Sequence, residues 1–312
     1  LTGDKYKARE FLKFTEDKPV IMIVGGSLGS VAVNDAVRAI LPELLKTYQV
    51  IHLCGRGKVD DSLKDLKGYA QFEYIKEELK KTDRKIVVLD DDPTGVQTVH
   101  DIYVYTDWEK ETLRKAFQEE DRTFFILTNS RGMTVEETEA IHHEISEVVA
   151  EAAAAAKKDY VIISRGDSTL RGHYPLETEI LKQDYEKYTG RTADGEILCP
   201  FFPEGGRFTI DNVHYVRYGQ QLVSADETEF ARDKTFGYTA QSLPAFVEEK
   251  TQGDYPAKDV LCITIEELRA MKLQEIEEKL LQVKDFQKVV VNAVSYADLK
   301  VFCIALYRVM NR

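Results

Sequence analysis

The fold is decided by the ten residues IVVLDDDPTG at positions 86–95. A β-branched run of this length that ends in Asp and Pro is typical of a buried strand leaving a sheet at its carboxyl end. Open α/β sheets bind ligands at that end. The adjacent carboxylates of Asp90, Asp91 and Asp92 repel one another unless a cation, a hydroxyl-rich ligand or backbone N–H groups take up the charge. The stretch therefore predicts either a ligand-binding turn or an acidic turn that caps the next element.

Two further predicted strands lead into polar clusters of the same kind. Residues 124–127 are followed by Thr128-Asn129-Ser130-Arg131-Gly132, and residues 161–163 are followed by a cluster over residues 164–173. Strands and helical patterns alternate along the chain, which favours mostly parallel pairing. Because parallel strands share one carboxyl edge, we expect the three clusters to meet there. The predicted fold class is three-layer α/β with mostly parallel sheets, in which a partial Rossmann-like unit precedes a larger α/β substrate-binding domain.

The clusters combine the donors and acceptors that a small polyhydroxy acid needs. Arginine offers fork-shaped donors to a carboxylate or phosphate, and aspartate accepts hydrogen bonds from vicinal hydroxyls. The arginines are Arg131, Arg165 and Arg171, the aspartates are Asp91, Asp92 and Asp167, and the groups that can donate or accept are Asn129, Ser130, Ser168 and Thr169. Each residue also has a structural interpretation, because strand-end Asp, Ser and Thr cap helices and Arg often pairs with Asp. Three clusters together favour a binding site.

Local patterns predict several elements outside these clusters. Thr134 and Glu137 form the capping-box pattern of a helix that reaches about residue 158. The charged residues 266–283 predict one helix, residues 226–256 a loop-rich segment, and residues 211–225 a hairpin. His173 is interpreted as a hydrogen-bonded loop residue rather than a base.

Residues 1–80 carry a separate strand–turn–helix pattern. An apolar strand over residues 19–24 runs into the turn Gly25-Gly26-Ser27-Leu28-Gly29-Ser30, and a second strand covers residues 50–54. Such a turn can hold a phosphate, because backbone N–H groups and the helix dipole point at the anion. Tight strand-to-helix packing needs glycine too, so both interpretations stay open. The charged residues 80–85 mark a predicted junction, with domains over residues 1–82 and 83–312.

Composition limits the classes of partner. The 312 residues carry a net charge of −12, which disfavours nucleic acid and anionic membranes but not a small anion held by a local arginine cluster. No apolar run approaches the ~20 residues of a membrane span. The four cysteines lie far apart without a metal-ligand spacing, so we expect buried thiols, no metal site and a cytoplasmic location. The chain opens at Leu1 rather than Met, and we expect both ends to be cut.

Residues 1–79 resemble part of the C-terminal donor domain of the peptidoglycan glycosyltransferase that adds GlcNAc from UDP-GlcNAc to the lipid-linked muramoyl-pentapeptide. The resemblance lies in residues 9–12, the GGSLGS turn, residues 33–38, residues 52–55 and residues 68–74. It implies that Gly25, Gly26, Ser27 and Gly29 are remnants of the loop that faces the UDP diphosphate. It covers neither the acceptor domain nor the rest of the donor domain, so we expect no sugar transfer.

Residues 85–312 resemble the N-terminal domain of the four-carbon acid sugar kinases, which phosphorylate acids such as erythronate and threonate. The resemblance lies in residues 91–95, 128–132 and 167–172, and it extends to residues 203–207, 292–293 and 298–299. Pro93 stands where the family commonly has Leu. Arg165-Gly166 stands where many members have Lys and an apolar residue. These departures leave the preferred acid sugar open.

The kinase resemblance implies roles for the cluster residues. Asp91 or Asp92 positions the attacking hydroxyl or accepts its proton. The residues expected to hold the acid sugar are Thr94, Gly95, Asn129, Ser130, Arg131, Arg165, Asp167, Ser168, Thr169, Arg171 and Gly172. ATP and Mg²⁺ belong to the family's C-terminal domain, which is the expected partner of this chain. The chain alone is therefore expected to bind an acid sugar without turnover and to bind neither ATP nor Mg²⁺.

Whether this chain is an enzyme stays open at this stage. The first alternative to a kinase half is a fragment of a UDP-GlcNAc-dependent glycosyltransferase. The second is a non-catalytic fusion of two unrelated partial sequences joined near residue 80.

Overall fold

The computed structural model describes residues 9, 12–15, 18–24, 30–55, 58–72, 82–95 and 99–310. The chain forms two compact units. The first contains residues 1–82 with 270–272 and 306–312, and the second contains residues 83–269 and 273–305.

The first unit is built on a parallel sheet in the order β1–β2–β3. Its elements are strand β1 (Val20–Val24), helix α1 (Val31–Thr47), strand β2 (Gln49–Leu53) and strand β3 (Tyr69–Phe72). Helix α1 begins at Ser30, whose side chain accepts a hydrogen bond from the backbone N–H of Val33. Leu41, Val50 and Tyr69 form its buried core. Two parallel strands joined by a helix make this the predicted partial Rossmann-like unit.

The main sheet of the second unit has the order β5–β6–β4–β7, and all its strands are parallel. Its strands are β4 (Lys85–Asp90), β5 (Tyr103–Tyr105), β6 (Thr123–Leu127) and β7 (Tyr160–Arg165). The helices that pack on it are α2 (Lys110–Gln118), α3 (Val135–Ala156) and α4 (Leu176–Thr189). Val87 and Leu89 of β4 lie in one cluster with Phe117, Phe124 and Ile145. The apolar run therefore forms a buried inner strand, as its sequence predicts.

Two helix ends in this unit have specific caps. The predicted capping box is confirmed, because Thr134 Oγ1 accepts from the Glu137 N–H (3.2 Å) and Glu137 Oε2 accepts from the Thr134 N–H (2.9 Å). At the other helix, the buried side chain of Lys85 reaches the C-terminal end of α2. Its Nζ donates to the backbone carbonyls of Ala116, Glu119 and Asp121 at 3.2, 2.7 and 2.5 Å. A cation is favourable there because the last carbonyls of a helix lack partners.

The rest of the second unit contains two smaller sheets. A parallel sheet has the order β12–β13–β8, and an antiparallel sheet has the order β11–β10–β9. The strands are β8 (Gly195–Leu198), β9 (Arg207–Ile210), β10 (Val213–Tyr218), β11 (Gln221–Ser224), β12 (Leu261–Ile263) and β13 (Gln287–Val291). The remaining helices are α5 (Leu243–Lys250), α6 (Ile265–Arg269), α7 (Leu273–Leu280) and α8 (Tyr296–Met310), the last of which ends in residues of the first unit. The predicted hairpin is β10–β11, extended by β9.

One local prediction is wrong. The predicted helix over residues 266–283 is two short helices, α6 and α7, separated at Met271, which has a left-handed φ of 53°. Lys279 of α7 bonds the Glu267 carboxylate of α6, so tertiary contact overrides the continuous helical propensity. The segment 226–256 is loop-rich, as predicted, and it contains helix α5, whose N-terminus Ser242 caps.

The predicted fold class, three-layer α/β with mostly parallel sheets, is confirmed. None of the described helices combines the length and the apolar character needed to cross a membrane.

Candidate functional site

The carboxyl ends of three neighbouring strands form one edge. Strand β4 lies between β6 and β7, and its last residue, Asp90, is in register with Leu127 on one side and Arg165 on the other. Backbone hydrogen bonds tie the following turns together, from Thr128 N–H to Asp90 O (2.9 Å) and from Asp91 N–H to Arg165 O (3.2 Å). The predicted meeting of the three polar clusters at one edge is therefore confirmed.

Asp91 and Arg131 form a bidentate ion pair at this edge. Arg131 Nε donates to Asp91 Oδ2 (2.8 Å), and Nη2 donates to Oδ1 (2.5 Å). Only 3% of the Asp91 side chain is exposed. Burial raises the pKa of Asp91 to about 6, and Arg131 counteracts that rise. Asp91 is therefore an anion at neutral pH, and its oxygens are engaged by Arg131.

Asp92 is the more accessible of the two predicted catalytic carboxylates. Its side chain is 27% exposed, and its Oδ2 lies 3.3 Å from Arg131 Nη1. Its Oδ1 accepts hydrogen bonds from the backbone N–H of Thr94 (2.8 Å) and from the Thr94 hydroxyl. The hydroxyl bond is the largest cause that lowers the pKa of Asp92. A fixed, ionised and solvent-accessible carboxylate can accept a hydrogen bond from a ligand hydroxyl.

Gly95 packs against Asp90, a residue that the sequence analysis did not place in the site. Asp90 is fully buried, and its Oδ1 lies 3.4 Å from Arg165 Nη1. A Cβ at Gly95 would lie well within 3.0 Å of the Asp90 carboxyl group. Burial is the largest cause of the raised pKa of Asp90, and its Oδ2 has no hydrogen-bond partner among the described residues. The close approach explains why position 95 needs glycine.

Ser130 points into the protein, whereas Asn129 is exposed. Ser130 Oγ donates to Oε1 of the buried Glu177 (2.8 Å), and Ser164 Oγ donates to Glu177 Oε2 (3.3 Å). Glu177 lies in the first turn of α4, and sequence reasoning did not find it. No local motif marks it, because its partners lie in other turns. Glu177 thus links the turn after β6 to the end of strand β7, and Ser130 has this supporting contact in the structure.

The turn after β7 is organised around Asp167. Arg171 Nε donates to Asp167 Oδ2 (2.6 Å), and the hydroxyl of Thr169 donates to the same atom. Burial pushes the pKa of Asp167 upward, but these hydrogen bonds outweigh it and hold the pKa below its usual value. Leu170, with a left-handed φ of 67°, reverses the chain inside this turn.

Residues from the antiparallel sheet region anchor the same turn. His214 Nε2 donates to the backbone carbonyl of Ser168 (2.7 Å), and the Tyr238 hydroxyl donates to the carbonyl of Thr169 (3.1 Å). Burial lowers the pKa of His214 to about 4, so its ring is neutral at pH 7. His173 Nε2 donates to the carbonyl of Met133 (3.1 Å), in agreement with its interpretation as a loop residue.

Gly172 lets this turn approach Asp91. Its φ is 149°, which L side chains rarely adopt, and a Cβ there would lie 3.6 Å from Asp91 Oδ2. Backbone conformation, rather than a clash, therefore favours glycine at this position.

The edge contains more carboxyl groups than guanidinium groups. Four carboxylates face three guanidiniums, and each guanidinium has a carboxylate oxygen within 3.4 Å. The carboxylates are those of Asp90, Asp91, Asp92 and Asp167, and the guanidiniums are those of Arg131, Arg165 and Arg171. The predicted arginine clamp is thus engaged in internal ion pairs, so an anionic ligand needs positive charge from a further residue or must displace an aspartate.

The residues of the predicted diphosphate loop, Gly25, Gly26, Ser27 and Gly29, lie outside the described residues.

The described part of the first unit contains a buried chain of hydrogen bonds. Asn34 Nδ2 donates to the carbonyl of Cys54 (2.8 Å), and His52 contacts Asn34 Oδ1 (3.1 Å) and the Tyr69 hydroxyl (2.7 Å). These bonds fix helix α1 to the sheet.

The described part of the chain contains no group of three or more His, Cys, Asp or Glu side chains that could hold a metal ion. The aspartates at the edge illustrate the reason. The oxygens of Asp91 accept from Arg131, and those of Asp92 face Thr94 and Arg131. These donor sets therefore do not fit a Mg²⁺ ion bound directly by the protein.

A mixed-charge cluster at the carboxyl edge of a parallel sheet is characteristic of α/β domains that bind small polar ligands. Comparison with protein families identifies the particular domain. Residues 86–311 match the family described as "Sugar-binding N-terminal domain", and the chain belongs to this family, the N-terminal domain of the four-carbon acid sugar kinases. Residues 20–88 match a second family, "Glycosyltransferase family 28 C-terminal domain". Both resemblances predicted from the sequence are confirmed.

Curated relatives match a short part of the chain. It is 60% identical over 80 residues to the "UDP-N-acetylglucosamine--N-acetylmuramyl-(pentapeptide) pyrophosphoryl-undecaprenol N-acetylglucosamine transferase" of Lachnospira eligens, covering 26% of this chain and 23% of that protein. It is 61% identical over 79 residues to the protein of the same name from Clostridium perfringens, covering 25% and 22%. The chain thus spans less than a quarter of the length of these relatives.

One solved structure is similar to a larger part. It is a crystal structure of a domain of unknown function from Bordetella bronchiseptica, a domain-swapped dimer with bound citrate. It is 20% identical with a TM-score of 0.48, and the match covers 71% of this chain and 50% of that chain.

Proposed function

We propose that the second unit binds a four-carbon acid sugar of the tetronate type at the carboxyl edge of its main sheet. The observation that supports this proposal is the convergence of Asp92, Arg131 and Asp167 on one edge in a chain of the sugar-binding family. Vicinal hydroxyls need fixed acceptors, and the carboxylates at this edge are held in place by Thr94, Arg131 and Arg171.

Asp92 is the residue that we propose for contact with the reacting hydroxyl. Its carboxylate is ionised and accessible, so it can orient a hydroxyl by accepting its proton in a hydrogen bond. Asp91 has a supporting role in this proposal, because its oxygens hold the Arg131 guanidinium. Arg131 in turn places one positive charge beside Asp92 at 3.3 Å.

The proposed role in a reaction is that of the acid-sugar half of an ATP-dependent kinase. ATP would be bound by a separate domain of the family type, and Mg²⁺ would accompany the phosphates of ATP, since the aspartates at this edge do not fit it. The second unit would hold the acid sugar and present one hydroxyl to the γ-phosphate. The location of the protein in the cytoplasm stays a prediction.

Isothermal titration calorimetry with erythronate and threonate tests the proposal. We expect a dissociation constant between about 1 μM and 1 mM for at least one tetronate. Asp92→Asn should weaken binding about 10- to 100-fold, because it removes a charged hydrogen-bond acceptor. Asp254→Asn, the same substitution at an exposed aspartate, should leave affinity unchanged. Absence of binding by the wild type at about 10 mM of every four-carbon acid sugar refutes the proposal.

The N-terminal segment favours a second candidate function, the binding of a uridine diphosphate sugar by the first unit. Its support is the identity of 60% over 80 residues to a glycosyltransferase. Titration with UDP-GlcNAc tests it, and a dissociation constant below about 1 mM supports it. If the titration shows only the heat of dilution up to several times that concentration, this second function is contradicted.

A non-catalytic fusion of two partial sequences is the third possibility. The two family matches, residues 20–88 and 86–311, meet at residues 86–88. Limited proteolysis between residues 80 and 85 should then release a stable C-terminal fragment. If the chain resists cleavage and unfolds in a single transition, the hypothesis of two independent parts is contradicted.

A further inference from the structure

Glu177 is a buried carboxylate that bonds two separate segments of the proposed site. Its Oε1 accepts from Ser130 Oγ (2.8 Å), and its Oε2 accepts from Ser164 Oγ (3.3 Å). Ser130 lies in the turn after β6, directly before Arg131. Ser164 lies at the end of β7, three residues before Asp167. One carboxylate therefore connects the two segments that carry Arg131 and Asp167, both of which belong to the proposed site.

Arg131 and Asp167 interact with each other at the strand edge. Burial opposes the charge of Arg131, but the hydrogen bond to Asp91 and the negative charge of Asp167 outweigh burial and raise the pKa of Arg131. Burial likewise raises the pKa of Asp167, whereas its hydrogen bonds and the charge of Arg131 lower it. The two side chains belong to different segments, so their spacing depends on how these segments are held together.

Glu177 itself has little freedom to move. Only 6% of the residue is exposed, and its backbone N–H donates to the carbonyl of His173 (3.1 Å) at the start of α4. His142 Nε2 lies 3.8 Å from Glu177 Oε1, and His142 Nδ1 donates to the carbonyl of Thr138 (2.8 Å). A carboxylate fixed in this way can act as a spacer, because its two oxygens are a constant distance apart and each accepts from one serine.

The charge of Glu177 also acts on the turn after β4. Burial is the largest cause that raises the pKa of Asp91 to about 6, and the negative charges of Glu177 and Asp90 add to this rise, whereas Arg131 opposes it. Glu177 therefore lies within electrostatic range of the ion pair between Asp91 and Arg131. All three turns of the strand edge thus interact with this one side chain.

We propose that Glu177 is a positioning residue of the acid-sugar site. Through its two serine partners it keeps two segments at one spacing, so that Asp167 and Arg131, with Asp92 beside it at 3.3 Å, contact the same ligand. This inference rests on the proposed function and assigns the group that sets the length of acid that the edge accepts. A fixed spacing favours a ligand of one length, because groups already in place bind without the cost of rearrangement.

Calorimetry with sugar acids of two lengths tests the positioning. Wild type, Glu177→Gln, Glu177→Asp and Asp184→Asn are titrated with erythronate and threonate, and with glycerate, which is one carbon shorter. Glu177→Gln keeps the length of the side chain and loses its charge, whereas Glu177→Asp keeps the charge and is one methylene shorter. If Glu177→Asp does not fold, Ser164→Ala takes its place, because it removes one of the two bonds.

Asp184→Asn is the matched control. Asp184 is a second buried carboxylate of helix α4, about two turns further along, and its Oδ2 accepts from His143 Nδ1 (2.6 Å). Its substitution should therefore lower the melting temperature without a change at the strand edge. Thermal unfolding of each variant measures this cost and checks that the variant folds.

We expect Glu177→Asp to weaken tetronate binding about 10- to 100-fold and glycerate binding less, because the shorter side chain cannot reach both serines. Glu177→Gln should weaken tetronate binding only about 2- to 5-fold, since its amide still reaches both hydroxyls. The reverse order overturns the positioning, because charge rather than reach would then decide. Tetronate affinity equal to wild type in both Glu177 variants also overturns it and leaves the proposed function intact. An equal loss in Asp184→Asn does the same, because affinity would then follow stability.

A measurement without ligand separates failure of the positioning from failure of the proposed function. The Nε–H of Arg131 donates to Asp91 (2.8 Å), so its NMR resonance reports where the guanidinium lies. The resonance, assigned by its loss in Arg131→Lys, is compared in wild type, Glu177→Asp and Asp184→Asn. We expect a shift in Glu177→Asp alone. Such a shift in a protein that binds no tetronate supports the positioning of Arg131 and refutes the acid-sugar function. An unchanged resonance in Glu177→Asp overturns the positioning.

Discussion

Substitution of Gly95 by Ala tests the packing on which the acidic turn depends. The added Cβ would lie well within 3.0 Å of the carboxyl carbon and both carboxylate oxygens of Asp90, closer than real Cβ atoms come. Asp90 is fully buried, and its backbone carbonyl accepts from Thr128 N–H, so its side chain has little room to move. Relief of the overlap requires displacement of the carboxyl group from Arg165, which is 3.4 Å away.

The expected cost is about 2–4 kcal/mol of unfolding free energy. Insertion of a methyl group into a packed site costs about 1–3 kcal/mol, and weakening a charged hydrogen bond adds about 1–2 kcal/mol. The lower entropy of an unfolded chain with Ala offsets about 0.4–1 kcal/mol. For a unit of this size, the melting temperature should fall by about 5–15 °C.

Intrinsic fluorescence provides the assay. The protein has one tryptophan, Trp108, which packs against the core of the second unit and so reports its unfolding. Gly132→Ala is the matched control, because a Cβ at Gly132 meets no atom within 4 Å. The double variant Asp90→Ala/Gly95→Ala should be no less stable than Asp90→Ala alone, since the clashing carboxyl is gone. If the unfolding free energies of Gly95→Ala and Gly132→Ala differ by less than about 0.5 kcal/mol, the packing described for Asp90 is refuted.

Three further predictions concern the groups around this turn. Burial raises the pKa of Asp91 from 3.8 to about 6, so its stabilising contribution is complete below pH 3.8 and is lost as the pH rises through 6. The difference in unfolding free energy between wild type and Asp91→Asn should therefore fall by about 3 kcal/mol from pH 3.5 to 7.5, and a constant difference in urea titrations contradicts it. Glu177→Gln should lower the unfolding free energy by about 1–2 kcal/mol, because one of the two serine partners then faces an amide N–H₂. Equal urea midpoints for this variant and the wild type would disprove this role. Tyr238→Phe should lower stability by about 1 kcal/mol and weaken tetronate binding, because it releases the carbonyl of Thr169; melting curves and calorimetry measure both, and wild-type values in both would count against the anchoring role.

The sequence predicts the main sheet well because the relevant signals are local. The apolar runs that became β4, β6 and β7 are each followed directly by a polar turn, and strand–helix alternation implies parallel pairing. The common edge of the three clusters follows from these two facts. A helix capping box is equally local, and Thr134 with Glu137 forms one.

The pairings inside the site could not be predicted, because they depend on contacts between distant residues. Arg131 was expected to bind a ligand, but it forms an ion pair with Asp91 instead. The two residues are 40 positions apart in sequence, so no local pattern indicates their contact. Glu177 lies 47 residues from Ser130, and nothing near either residue indicates their contact. The break at Met271 likewise accompanies a contact between Lys279 and Glu267. Helical propensity is a local property, so it does not predict this contact.

Lys85 has a consequence for how this chain can be divided or recombined. Its ammonium group holds three carbonyls at the end of α2, and its backbone N–H donates to Asp159 O (2.8 Å). Two residues earlier, Asp83 pairs with Lys158 (2.6 Å). A shortened gene for the second unit should therefore begin at or before Asp83, whereas one that begins at residue 86, where the family match starts, would lose the lysine that closes α2. An upstream segment that ends by residue 82 leaves these contacts of Asp83 and Lys85 in place, so they do not depend on which sequence precedes residue 83.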